Sequence, residues 1–237
     1  MGRVHYPCVA VSLEGFVQHV AIHYLRHHYR YYVSGYVREG KRPEDIDRKI
    51  VEKYRADLDK WTRHRRKRSG LANVQYIRHE RRFLILATGP RGGHRFFEEE
   101  AEIHDARDVP IRAGGYELGY RGGRVWVRIE RKRLKELRAY FLDVAARRRA
   151  SELEKEFREL PFEPYRPVRY QLFRLLENVN AVRKRAGGLR PVPESAIRFK
   201  RRVVEVFARP GGGAEDSLAE DNRAGVCGVS PGAEGPM

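Results

Sequence analysis

With 237 residues, 34% of them charged, and a formal net charge of +17, the chain is long enough to bury a sizeable core without disulfide or metal staples. Two cysteines exclude a disulfide scaffold and fit reduced thiols, no apolar run approaches the ~20 residues of a membrane span, and the first residues lack the apolar core of a signal peptide, so a soluble, cytoplasmic setting is expected. The charge is uneven: residues 211–237 carry −4, which leaves +21 on residues 1–210. A body this basic attracts nucleic acid or an anionic membrane surface, and with no lipidation signal and no basic helix bearing a bulky apolar face, nucleic acid, DNA or RNA, is the expected partner. The competing reading is compositional, since arginine far outnumbers lysine, as GC-rich coding alone would produce, and such arginines can simply solvate a surface.

In chain order, Pro7–Leu13 reads as a first strand closed by Glu14-Gly15. Phe16–His28 reads as a helix with Phe16, Val20 and Tyr24 on one face, a second strand being the alternative. Tyr29–Val37, aromatic and β-branched, is a strand. Pro43 opens a helix well, because its missing N–H costs nothing at the first position and Glu44 and Asp45 complement the dipole. Ile46, Ile50, Tyr54, Leu58 and Trp61 continue it, with a break possible near Asp57.

The chain is organised around Lys60–Pro90, which carries nine cations against the single acid Glu80. It reads as a helix with a cationic last turn, a stop at Gly70, a strand near Ala72–Arg78, a turn at His79–Arg82, and a strand Phe83–Ala87. That last run has no polar alternation, so it should be covered on both faces as a central strand. One or two cations at a helix C-terminus are favourable by a few tenths to ~1 kcal/mol without a ligand. Six within Lys60–Arg68 repel one another, and an external anion accounts for the excess. Arg63, Arg65, Arg66, Lys67, Arg68, Arg78, Arg81 and Arg82 are therefore the candidate phosphate contacts.

Gly89–His94 matches neither a Walker loop nor GxGxxG and reads as a turn. Phe96–Asp108 reads as a short acidic helix. Gly122-Gly123 supplies a two-residue hairpin turn, which sets Arg121 opposite Arg124, Tyr120 opposite Val125, Gly119 opposite Trp126, Leu118 opposite Val127, Glu117 opposite Arg128 and Tyr116 opposite Ile129. One face is then apolar, and the other presents Trp126 between Arg124 and Arg128, a candidate base-stacking platform because Gly119 has no side chain to cover the indole. The equal alternative is that a helix such as the one beginning near Lys132 packs over this face and buries Trp126 as core. Lys132–Arg149 is an amphipathic helix, Ser151-x-x-Glu154 caps another to about Leu160, and Pro161, Pro164 and Pro167 form a connector. A helix from Val168 buries Leu172, Leu175, Val179 and Val182 and stops at Gly187-Gly188. Ala196–Ala208 reads as a last strand, and residues 210–237 as a disordered acidic tail. The expectation is one α+β domain over residues 1–209, a mostly antiparallel sheet flanked by helices with a helical C-terminal half.

Two ladders at i, i+4 and i+8 bear on catalysis. His19, His23 and His27 would share a helix face, yet no cysteine lies near and no HExxH is formed; Glu100, His104 and Asp108 suit a Mg²⁺ or Mn²⁺ nuclease site but equally a solvated acidic helix. Neither compels a metal, and no cofactor is implied. The order of strand, helix, basic turn, paired strands and a later helix bearing Tyr140 resembles that of single-strand nucleases of the His-hydrophobe-His class. That resemblance implies a His-x-His metal pair on the central strand and a tyrosine nucleophile. Phe83–Ala87 carries no such pair, with His79 and His94 only flanking it, so the chain departs from the defining motif. No GxSxG, CxxC, P-loop or kinase signature occurs. Nucleic-acid binding is the leading expectation, a metal-dependent strand-cleaving enzyme of a mobile or replicating element the alternative, and a basic scaffold for acidic partners a third.

Overall fold

The computed structural model describes residues 6–89 and 93–208. The expected acidic tail from residue 210 and the Pro90–Gly92 part of the glycine-rich loop lie outside the described residues. The fold is α+β, with two antiparallel sheets and seven α-helices among the described residues.

Strands β1 (Tyr31–Tyr36), β2 (Val74–His79), β3 (Arg82–Ala87) and β4 (His104–Asp105) form the first sheet in the order β2-β3-β1-β4. The uninterrupted apolar run is thus an internal strand, and it is covered on both faces as its composition requires. Leu84 and Leu86 join the larger core with Ile77 and Tyr32. Ile85 and Ala87 point the other way, into a smaller core with Val74, Tyr76, Tyr54 and Phe96. Helix α2 (Pro43–Tyr54) supplies Tyr54 to that smaller core and ends at Arg55, whose φ of 51° turns the chain. The break expected near Asp57 is real. Asp59 then caps a separate helix, α3 (Lys60–Arg68), accepting the amide hydrogens of Trp61 and Thr62 at 2.8 and 2.9 Å.

The second sheet is β5 (Ile111–Ala113), β6 (Tyr116–Arg121) and β7 (Arg124–Ile129). The Gly122-Gly123 turn has φ of 56° and 77°, and all six cross-strand pairs from Arg121–Arg124 to Tyr116–Ile129 stand as the turn dictates. Leu118, Val127, Tyr116 and Ile129 face the larger core. Helices α5 (Arg131–Val144), α6 (Ala150–Glu159) and α7 (Arg166–Arg185) complete that core through Leu137, Phe141, Leu153, Phe157, Leu172 and Val179.

Several expectations are corrected. Residues 7–12 form no strand: Val9 and Ala10 make only isolated bridges to Arg78 and Phe207, and helix α1 (Leu13–His19) begins where Ser12 accepts the Gly15 amide. The helix reading of the next segment holds, but Val20–Tyr24 widens into a π turn and Leu25–His27 tightens into a 3₁₀ turn. The acidic helix over Phe96–Asp108 is only α4 (Arg95–Glu99); Glu100 is extended, and His104 and Asp105 pair with β1 instead. Helix α6 starts at Ala150, where the Glu152 carboxylate accepts the Arg149 amide, so Ser151 is inside the helix rather than its cap. Ala196–Ala208 is not a strand. A 3₁₀ turn at Glu194–Ala196 leads into irregular chain that touches Ala10 through Phe207.

Candidate nucleic-acid interface

Helix α3 buries none of its side chains. It is held instead by polar bonds on its inner side: Arg63 donates to the Leu58 carbonyl, Arg66 donates to the Ala72 carbonyl at 2.8 Å, and Asn73 Nδ2 donates to the Arg63 carbonyl at 2.9 Å. Thr62, Arg63 and Arg66 are consequently half-buried, while Lys60, Trp61, His64, Arg65, Lys67 and Arg68 are exposed. Among the described residues, no carboxylate lies within salt-bridge distance of any cation on this helix.

The remaining cations of the central stretch are occupied within the fold. Arg78 is 5% exposed and grips Asp47, so it is not available to a ligand. Arg81 caps the loop after β1, donating to the carbonyls of Val37 at 3.0 Å and of Arg38. Arg82 lies over the Tyr36 ring at 5.3 Å and donates to its hydroxyl at 3.0 Å. The expected phosphate contacts therefore divide: Arg65, Lys67 and Arg68 are outward, Arg65 with one long exposed bond to the Thr62 hydroxyl at 3.3 Å, while Arg63, Arg66, Arg78, Arg81 and Arg82 are bonded to the protein.

Trp126 is neither an open platform nor core. Its ring lies across Gly119, where an added Cβ would stand 2.2 Å from the indole. Arg128 lies over the same ring at 4.6 Å and pairs with Glu117 at 2.8 Å. Arg124 carries no such partner and is exposed. The half-buried indole instead lines a groove of about 690 Å³ between the π turn, the hairpin tip, the start of α7 and residues 199–201.

Five arginines line that groove, Arg26, Arg124, Arg166, Arg169 and Arg201, and among the described residues no acidic one does. Tyr120, Trp126, Tyr165 and Phe199 supply aromatic walls. Arg169 lies over Phe199 at 5.4 Å and Arg201 over Tyr165 at 5.2 Å, so two guanidinium groups are oriented by ring faces rather than by carboxylates. His28 lies beside the groove. Its ring meets the Tyr120 ring edge-on at 6.2 Å, and its pKa lies below the ordinary imidazole value through desolvation first and the nearby Lys67 second.

Sequence reading found Arg124 and Trp126 but not Arg26, Arg166, Arg169, Arg201, Tyr165 or Phe199, which come together only in three dimensions. The pairs Tyr165-Arg166 and Phe199-x-Arg201, aromatic beside arginine, were the available signal. The metal ladders do not form. Glu100 has left the helix, His104 pairs with Glu102, and His19 stacks on His23 beneath Phe207 and Tyr24. Among the described residues, no group of three or more His, Cys, Asp or Glu side chains is placed to hold a metal ion. His79 faces the Ala10 carbonyl and His94 caps α4. Tyr140 donates to Glu156 at 2.9 Å on the surface of α5. The Cys8 thiol is pushed up to about 12 by burial and then by Asp47, which makes it a poor nucleophile. No helix among the described residues is long and apolar enough to cross a membrane.

Comparison with known proteins finds no matching family model, no matching curated protein and no matching solved structure.

Proposed function

We propose that the protein binds nucleic acid through two basic surfaces, the outer side of α3 and the arginine groove. The observation that carries this reading is the groove's lining: five arginines and four aromatic rings with, among the described residues, no carboxylate. Elsewhere on the chain arginines such as Arg107, Arg112, Arg128, Arg147 and Arg158 have acidic neighbours, so the absence of acids here is local and not a consequence of composition. Uncompensated cations repel one another unless a polyanion neutralises them, and aromatic walls suit bases rather than bare phosphate.

The test is titration of a labelled oligonucleotide at several salt concentrations, with Mg²⁺ or Mn²⁺ present in a parallel series. Salt-sensitive binding without cleavage supports a binding protein. Cleavage of the strand would replace that reading with the nuclease alternative, and binding that is absent at low salt would remove nucleic acid altogether.

A further inference from the structure

Trp61 is 74% exposed, although large aromatics are usually mostly buried. Among the described residues it has no ring or cation partner, unlike Trp126, which is covered by Gly119 and Arg128. It heads the outward row Trp61, His64, Arg65 and Arg68, spaced i, i+3, i+4 and i+7 along one side of α3. The inner row is fixed to the protein by the Arg63, Arg66 and Asn73 hydrogen bonds, so this outer face cannot roll inward without breaking them.

We infer that Trp61 is a stacking surface for an unpaired base of a single-stranded nucleic acid, with Arg65 and Arg68 holding the phosphates beside it. The inference rests on the nucleic-acid reading and adds the strand state that this site selects. A paired base has its faces taken by its neighbours, whereas an unpaired one can lie on an indole, and stacking tolerates any base. A membrane surface is the weaker fit, because an interfacial helix buries a continuous apolar face and α3 offers Trp61 alone among cations. Trp61 and the groove then bind different parts of one strand.

The chain has two tryptophans, so the full-length protein labelled with 5-fluorotryptophan gives two fluorine resonances, assigned with Trp61→Phe. Adding a single-stranded oligothymidine should move or broaden the Trp61 resonance, and a duplex of equal length should leave it in place. Trp61→Ala should weaken single-strand binding about 5- to 150-fold while leaving duplex affinity and the melting temperature nearly unchanged, and Trp61→Phe should recover part of the loss where Trp61→Leu does not. Equal single-strand affinity for wild type and Trp61→Ala, with salt-sensitive binding intact, would overturn the inference and leave the nucleic-acid reading standing. Failure to bind any oligonucleotide would end both. A Trp61 resonance that responds to anionic vesicles and not to oligothymidine would overturn the inference in favour of a membrane contact.

Discussion

Arg78 Nη2 donates to Asp47 Oδ2 at 2.7 Å, and its Nε donates to Oδ1 at 2.8 Å, in a site where both residues are buried. Tyr76 adds its hydroxyl to the same carboxylate at 2.5 Å. The pair joins the C-terminal end of β2 to α2, the helix that leads into α3, so an arginine expected among the phosphate contacts instead helps to position the helix on which the other expected contacts stand.

Removing Arg78 leaves the buried Asp47 carboxylate with the Tyr76 hydroxyl, and removing Asp47 leaves the buried guanidinium with the exposed Glu44 at 3.9 Å and the Glu80 carbonyl. Asp47→Ala should therefore cost about 3–5 kcal/mol of stability, read by urea unfolding, and Arg78→Ala a comparable amount. The double change Asp47→Leu with Arg78→Met should cost much less than the sum of the single changes. Additive losses would show that the two residues do not act as a pair.

The contact between Gly119 and Trp126 gives a second prediction. Gly119→Ala puts a methyl group where the indole lies, 2.2 Å from its nearest atom, and the Gly119 backbone is held in its ladder directly opposite Trp126. The ring must move, at about 1–3 kcal/mol, the usual cost of overpacking. Calorimetry should show the lower melting temperature, and tryptophan emission should move toward the exposed range. An unchanged melting temperature would place the indole elsewhere.

Neighbouring arginines should divide by partner. Arg124→Ala, Arg166→Ala and Arg169→Ala should each flatten the salt dependence of single-strand binding by about 0.7 in the logarithmic slope. Their stability should stay within about 0.5 kcal/mol of wild type, since none ends a carboxylate pair. Arg128→Ala should do the reverse. It removes a partner from Glu117, which is 4% exposed, and should cost about 1–3 kcal/mol with a smaller change in slope.

His19 sets an acid limit. Burial and then His23 lower its pKa from the ordinary 6.5 to about 4. Between those values the unfolded chain binds the proton and the folded chain does not, so stability is full above about pH 6.5 and falls as pH drops toward 4, by up to about 1.4 kcal/mol per pH unit. His19→Gln should remove that part of the slope in urea titrations at pH 7, 5.5 and 4. An identical slope in the variant would assign the acid sensitivity to other groups.

How much of this was legible in the sequence follows the range of the forces involved. The hairpin register was readable because two adjacent glycines fix a period-two ladder, and the central strand because a run without polar residues must be covered twice. The helix break was only loosely readable, near Asp57, because Ile46, Ile50, Tyr54, Leu58 and Trp61 keep helical spacing straight across it. The π turn was not, since Phe16, Val20 and Tyr24 keep apolar spacing with or without it. The ends of the chain's short elements failed where tertiary pairing overrode local preference, as when His104 and Asp105 left an acidic helix for the edge of β1. Arginines were the hardest. Arg78, Arg183 and Arg68 look alike in sequence, yet Arg78 is sealed on Asp47, Arg183 is buried on the carbonyls of Ala145, Arg148 and Arg190, and Arg68 faces outward. The groove draws on segments near residues 26, 124, 166 and 201, and no local pattern announces such a meeting.

The central claim is that α3 and the groove form the contact surface for a single strand. Ultraviolet cross-linking to a bound oligothymidine, followed by mass spectrometry of the digested protein, tests it most directly. Adducts should fall on peptides carrying Trp61, Tyr120 or Trp126, Tyr165, and Phe199. Adducts confined to other surfaces, such as Tyr140 or Tyr170, would contradict the account.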